Sequence, residues 1–150
     1  MAMANTQQFC TFFLKDRLFG IPVEQVQEVI QSQDITRVPL APPVICGLIN
    51  LRGQIVIAID LRRQLAMEEL PAEMSPINVV VRTQEGPVSL LVDVIGDVVE
   101  VEEQTFERPP DTLNRKMWPL IFGVHKLESR LMHVLDTEKA CSSCIGTGEV

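Results

Sequence analysis

An all-β fold of two similar lobes is predicted by three features of the sequence. Most of the chain consists of short β-branched runs separated by turn residues. The 10–15-residue helical patterns of a βαβ protein are missing, which favours a barrel or sandwich. The second half of the chain also repeats the first.

In chain order, Phe9–Leu14 and Leu18–Pro22 flank Lys15-Asp16-Arg17 and read as a hairpin. Pro22 suits a first helical turn, and Val23, Val26 and Ile30 recur at helical spacing, so the pattern predicts a short helix over Pro22–Val29. Prolines at Pro39–Pro43 mark an irregular loop. Val44–Leu51 and Gln54–Ile59 flank Arg52-Gly53, where glycine supplies the positive φ of a tight hairpin. Asp60 is placed to cap a helical turn over Leu61–Leu65. Glu68–Pro76, polar and proline-containing, reads as the linker between lobes of about residues 8–67 and 76–139. Ile77–Thr83 and Val88–Val94 flank a second turn, Gln84–Pro87, and Pro109-Pro110 marks a second irregular loop. Ile121–Leu127 and Leu131–Leu135 flank Glu128–Arg130, and Asp136 is placed to cap Thr137–Ala140. Residues 140–150 read as a C-terminal tail.

The repeat has two offsets. At 76 positions, Gly47, Leu51 and Asp60 align with Gly123, Leu127 and Asp136, and Ile55, Val56 and Ile59 align with Leu131, Met132 and Leu135. At 69 positions, Val26 aligns with Ile95, Glu28 with Asp97, and Val29-Ile30 with Val98-Val99. The difference falls in the two proline loops.

With 150 residues, 46% of them apolar, the chain is long enough for one domain with a full core. Its net charge of −7 argues against non-specific nucleic-acid binding and against attraction to anionic membrane. The first ten residues lack the basic and apolar regions of a secretory signal, and no apolar run approaches a membrane span. The expected location is cytoplasmic. Cys10 and Cys46, alone in apolar runs, read as small core residues.

No constellation for catalysis is visible. His125 and His133 replace Ile49 and Ile57 of the first repeat, and read as satisfied side chains rather than general bases. No nucleophile elbow, H-E-x-x-H or phosphate-binding loop is present. Cys141-Ser-Ser-Cys144 forms a C-x-x-C without two further metal ligands at suitable spacing, and reads as a tail with two exposed thiols. The acidic run from Asp93 to Glu103 reads as the solvated side of a strand pair, and Phe9, Phe12, Phe13 and Phe19 as core. Arg52 at a hairpin and Glu28 on an earlier segment are open to two readings: a pair joining two elements, or an unpaired arginine at a turn tip.

Three stretches of the first half carry a family resemblance: Leu18-Phe-Gly-Ile-Pro-Val-Glu-Gln-Val-Gln-Glu-Val-Ile30, Ile35-Thr-Arg-Val-Pro39, and Val44 to Arg62 with its N-L-R-G followed by D-L-R. Leu91-Val-Asp-Val94, Gly123–Leu127 and Arg130–Asp136 continue it in the second half. Over about residues 8–139 the chain resembles the CheW-like chemotaxis coupling proteins. The resemblance implies two SH3-like five-stranded β-barrels with a few short helices, no catalytic activity and no cofactor. It implies a scaffold between the cytoplasmic tip of a chemoreceptor and the regulatory domain of a CheA-type histidine kinase. Carried over by position, the receptor groove involves Val26, Glu28, Gly47, Arg52, Ile95 and Val98, with Glu28 and Arg52 as a supporting salt bridge. His125 and His133 depart from the family pattern, and Cys141–Val150 have no counterpart in it. Two alternatives stay open: a coupling protein of a pilus-type or other chemosensory pathway, and a metal- or redox-responsive switch through the C-x-x-C.

Overall fold

Exchange of hairpins between the two halves of the chain decides the architecture. The computed structural model describes residues 6–31, 34–71, 74–109 and 115–145, with side chains to residue 141. The first half contributes β1 (Thr6–Leu14), β2 (Arg17–Pro22), β3 (Val26–Ile30), β4 (Ile45–Leu51), β5 (Gln54–Asp60) and the helical turn α1 (Leu61–Gln64). The second contributes β6 (Ile77–Thr83), β7 (Gly86–Val92), β8 (Val94–Glu102), β9 (Phe106–Glu107), β10 (Ile121–Lys126), β11 (Leu131–Leu135) and α2 (Thr137–Ile145). One sheet has the order β8-β1-β2-β11-β10-β9 and the other β3-β6-β7-β5-β4. The β1–β2 hairpin of the first half therefore sits among second-half strands, and the β6–β7 hairpin sits among first-half strands. The lobes are these two sheets, not the contiguous stretches 8–67 and 76–139 that the linker suggested.

The repeat holds at the level of register. Ile45 pairs with Ile59 and Gly47 with Ala58 across a bulge, and 76 positions later Ile121 pairs with Leu135 and Gly123 with Val134 across the same bulge. The parallel partners match too: Ile57 and Ala58 lie beside Val88 and Ser89, as His133 and Val134 lie beside Phe19 and Gly20. Each lobe is thus built from one hairpin of its own half and one borrowed from the other, an arrangement with an internal two-fold.

At both repeat glycines the backbone comes too close to a crossing strand for a side chain. A Cβ on Gly47 would lie 2.2 Å from the Thr36 carbonyl oxygen, and one on Gly123 would lie 2.4 Å from that of Glu107. Thr36 bridges Leu48, as Glu107 pairs with Val124 one repeat later. These crossings bring the segment after β3 onto β4, and β9 onto β10.

Three apolar clusters follow from strand alternation. Ile49, Leu51, Val56, Ala58 and Val80 fill the five-stranded lobe; Phe9, Leu18, Val101, Met132 and Val134 fill the six-stranded one. The largest cluster, with Phe12, Phe19, Ile21, Val79, Val81 and Leu90 among its members, joins residues of both sheets. On β6, Val80 points into its own lobe while Val79 and Val81 face the junction; on β2, Leu18 and Phe19 divide in the same way. Strands buried on both faces read as unbroken apolar runs, which is how β2, β6 and β7 appear in the sequence.

Helical expectations are met in part. Asp60 Oδ1 accepts from the Arg63 N–H at 3.3 Å and Asp136 Oδ1 from the Lys139 N–H at 3.1 Å, so both aspartates cap the turns expected of them. The second runs on to Ile145, and Ala140 and Cys141 enter the junctional core. Cys141 is 1% exposed, so this thiol is not on a solvated tail; the Cys144 side chain and Pro110 lie outside the described residues. Over Pro22–Val29 the expected helix is replaced by a 3-10 turn, Val23–Gln25, followed by β3. There Val26, Glu28, Val29 and Ile30 are taken up by pairing with β6, which outweighs the weak helical periodicity. Cys10 is half-buried at a surface groove instead of lying in the core, and Cys46, also half-buried at a groove, packs against the core of the five-stranded lobe.

Candidate protein-binding site

Edge strands β3 and β8 border a groove at the junction of the lobes. A pocket of about 120 Å³ at its floor is lined by Cys10, Ile21, Val29, Val79, Ile95 and Val98, among others. Val29 and Val98 are 45% and 58% exposed, unusual for aliphatic residues on facing elements. Val26 and Ile95, their repeat-related neighbours, are half-buried and pack on the junctional core. They support the groove from beneath and offer little surface of their own.

Glu28 and Arg52 meet. Arg52 Nη1 and Nη2 donate to Glu28 Oε2 and Oε1, both at 2.8 Å, in the two-pronged geometry that suits a guanidinium and a carboxylate. Their strands lie at opposite ends of the five-stranded sheet, so the pair joins edges that hydrogen bonding leaves apart, and curls the sheet on itself. Arg52 holds φ +53° and Gly53 φ +87°, the paired positive angles of a two-residue hairpin, with the Gly53 N–H donating to Asn50 Oδ1 at 2.8 Å. A left-handed φ costs a non-glycine residue ~1 kcal/mol, and here it sends the guanidinium back across the seam to Glu28. Of the six expected groove residues, Ile95 and Val98 line the pocket, Val26 packs on the junctional core, Glu28 and Arg52 form the ion pair, and Gly47, on β4, lies against Thr36, where its role is close approach.

A second ion pair was not legible as such. Arg62, on α1, and Asp93, between β7 and β8, are 6% and 8% exposed. Arg62 Nε donates to Asp93 Oδ1 at 2.9 Å and Nη2 donates to Oδ2, while Nη1 donates to the carbonyls of Glu68 at 2.8 Å and Glu69 at 3.2 Å. The Lys15 N–H gives Asp93 Oδ2 a further bond at 2.7 Å, and the Asp93 N–H donates to the Phe13 carbonyl at 3.1 Å. The bond to Asp93 raises the Arg62 pKa above its ordinary value. One buried pair thereby ties α1, the inter-lobe segment and the β1–β2 hairpin together, next to the first residue of β8. Asp93 belongs to this network and not to the solvated acidic run; Arg62 in the D-L-R motif was the only hint of it.

Both histidines are structural. His125 is buried between Phe9 and Phe106. The Thr105 hydroxyl donates to the Glu102 carbonyl, so at 2.8 Å it must accept the His125 Nδ1 proton. His133 Nδ1 donates to the Leu18 carbonyl at 3.1 Å. Burial lowers the pKa of both rings from the usual 6.5. The unfolded chain therefore binds protons that the folded chain refuses once the pH falls below that value, and stability drops with it. Thermal melts between pH 7.5 and 5 are expected to show a falling midpoint, and replacing both histidines with glutamine is expected to flatten the slope. An unchanged slope in that variant would assign the acid sensitivity to the carboxylates.

Among the described residues no group of His, Cys, Asp and Glu is arranged to hold a metal ion, and no helix is long and apolar enough to cross a membrane. The CheW-like domain model matches residues 8–144. "Chemotaxis protein CheW" of Bacillus subtilis is 31% identical over 130 residues, covering 87% of this chain and 83% of that protein. The protein of the same name from Treponema pallidum is 28% identical over 148 residues, with 95% and 87% covered. Among solved structures, the scaffolding protein TtCheW from Thermoanaerobacter tengcongensis superposes with a TM-score of 0.81 at 25% identity, covering 92% of each chain.

Proposed function

This chain belongs to the CheW-like domain family, and on that footing we propose that it joins the cytoplasmic tip of a chemoreceptor to the regulatory domain of a CheA-type histidine kinase. It is a non-enzymatic scaffold of chemotaxis signalling. The observation that carries the proposal is the junctional groove, where Val29 and Val98 stand exposed above a packed floor beside the Glu28–Arg52 pair. An apolar seat with a polar margin is the anatomy of a protein-binding patch. The groove takes the receptor tip, and a different surface takes the kinase. Binding both at once lets a change in the receptor shift the kinase between states through differential contacts. Both partners, and so the working site, are assigned to the cytoplasm.

The test is reconstitution from the kinase, a receptor fragment carrying the tip, and this chain. Receptor-dependent kinase control is expected to require the chain. Val98→Asp, which puts a carboxylate on the apolar seat, is expected to lower receptor-tip capture at least tenfold (~1.4 kcal/mol) while leaving kinase capture intact. Full receptor capture by that variant would remove the groove from the receptor contact.

A further inference from the structure

The groove lies on the internal two-fold. Val29 and Val98 are 69 positions apart, as are Cys10 and Val79, and both members of each pair line the one pocket. An interface in which equivalent residues face each other is what a two-fold axis passing through it produces. The bulges agree: β3 shifts register between Val26 and Glu28 against β6, and β8 shifts at the matching place, between Ile95 and Val98 against β1. The apolar seat is therefore nearly the same after a half-turn. A partner segment lying across it has two poses of opposite direction with similar apolar contacts.

The rims are not equivalent. On the β3 side Glu28 is satisfied by Arg52, whose guanidinium stays largely solvated, its side chain 76% exposed. At the matching place on the β8 side stands Asp97, and the residue in the hairpin position of Arg52 is Glu128. Gln31 beside β3 corresponds to Glu100 on β8, and both are exposed. Among the described residues neither Asp97 nor Glu100 is in an ion pair, though the Thr6 hydroxyl donates to Glu100. At these matching places the β3 margin thus presents the Arg52 guanidinium and the β8 margin the Asp97 and Glu100 carboxylates, while Arg130 lies over the Phe13 ring at the start of β8.

We propose that these charged margins select one of the two half-turn-related poses, so that the receptor segment lies with a carboxylate towards Arg52 and a cation towards Asp97 and Glu100. This rests on the receptor-coupling reading above. Shape complementarity across a two-fold cannot choose a direction; unlike charges at its two edges can, because the wrong pose sets like charges together at both.

The experiment places a photo-crosslinking residue at Gln31 or at Glu100, the exposed equivalent positions of the two margins, and maps its products on a soluble receptor-tip fragment. With the present margins, each position is expected to capture a different tip residue, one site apiece. Exchanging the hairpin charges with Arg52→Glu and Glu128→Arg is expected to shift the product of each position towards the capture site of the other. Asp97→Lys, at an exposed position, is expected to give both capture sites from both positions. An unchanged map in either folded variant overturns the selection of direction and leaves receptor coupling standing. Failure of the unexchanged protein to capture the tip at either position overturns the groove as the receptor site.

Discussion

Arg62→Ala is expected to destabilise the folded chain by about 3–5 kcal/mol, because it leaves the Asp93 carboxylate buried without its counter-charge. For a domain of this size that lowers the melting midpoint by roughly 6–20 °C. The magnitude follows from the burial of both partners, 6% and 8% exposed, and from the several bonds that the guanidinium makes at once. Arg62→Met with Asp93→Leu removes both charges together. It is expected to recover much of the loss, since the penalty lies in the orphaned charge more than in the missing attraction. Urea unfolding followed by circular dichroism measures both. A loss under 1 kcal/mol in Arg62→Ala would mean that water reaches Asp93. Because Asp93 precedes β8 and bonds to the Lys15 N–H, the loss is expected to reach the groove as well, as faster amide exchange along β8.

Arg52→Glu is expected to act in the opposite proportion, with little effect on folding and a large one on binding. The arginine is mostly solvated, so its pairing with Glu28 is screened and contributes up to ~1 kcal/mol. Binding, in contrast, loses the guanidinium that pairs with Glu28 and gains a carboxylate beside it. Receptor-tip capture is expected to fall at least tenfold (~1.4 kcal/mol), and receptor-stimulated kinase activity with it. Reversing the pair with Glu28→Arg and Arg52→Glu is expected to restore the seam between β3 and β4, read as thermal stability, but only part of the binding. Unchanged capture and activity in Arg52→Glu would remove Arg52 from the site.

Several features that position the groove are local and were readable along the chain. The Arg52-Gly53 turn, the capping roles of Asp60 and Asp136, and the two repeat offsets depend on neighbours in sequence or on pattern. Register kept the offsets, down to matching bulges at Gly47 and Gly123. The helix expected over Pro22–Val29 failed because its last four residues had a strand to pair with, a fact stored in β6 some fifty positions away.

Glu28 and Arg52 stood out by charge, and the family resemblance implied their pairing; the residues alone left it open, because their meeting required the sheet to curl until its ends touched. Arg62 and Asp93 looked like ordinary surface charges, since burial is set by what packs around a side chain and not by the side chain itself. Cys141 departs from the exposed thiol its sequence suggests for the same reason: the C-terminal helix docks on the junction, with Gln64 Nε2 donating to the Ala140 carbonyl and the Thr137 hydroxyl to Gln25 Oε1.

By itself the sequence determined the hairpins, the caps, the two-part repeat and the family, because each rests on short-range geometry or on residue identity. Only the tertiary structure decided which hairpin joins which sheet. In strands apolar on both faces, such as β2 and β6, alternation cannot say which neighbour covers which side. That choice is made where Phe19, Ile21, Val79 and Val81 bury against one another at the junction, and the groove exists because they do.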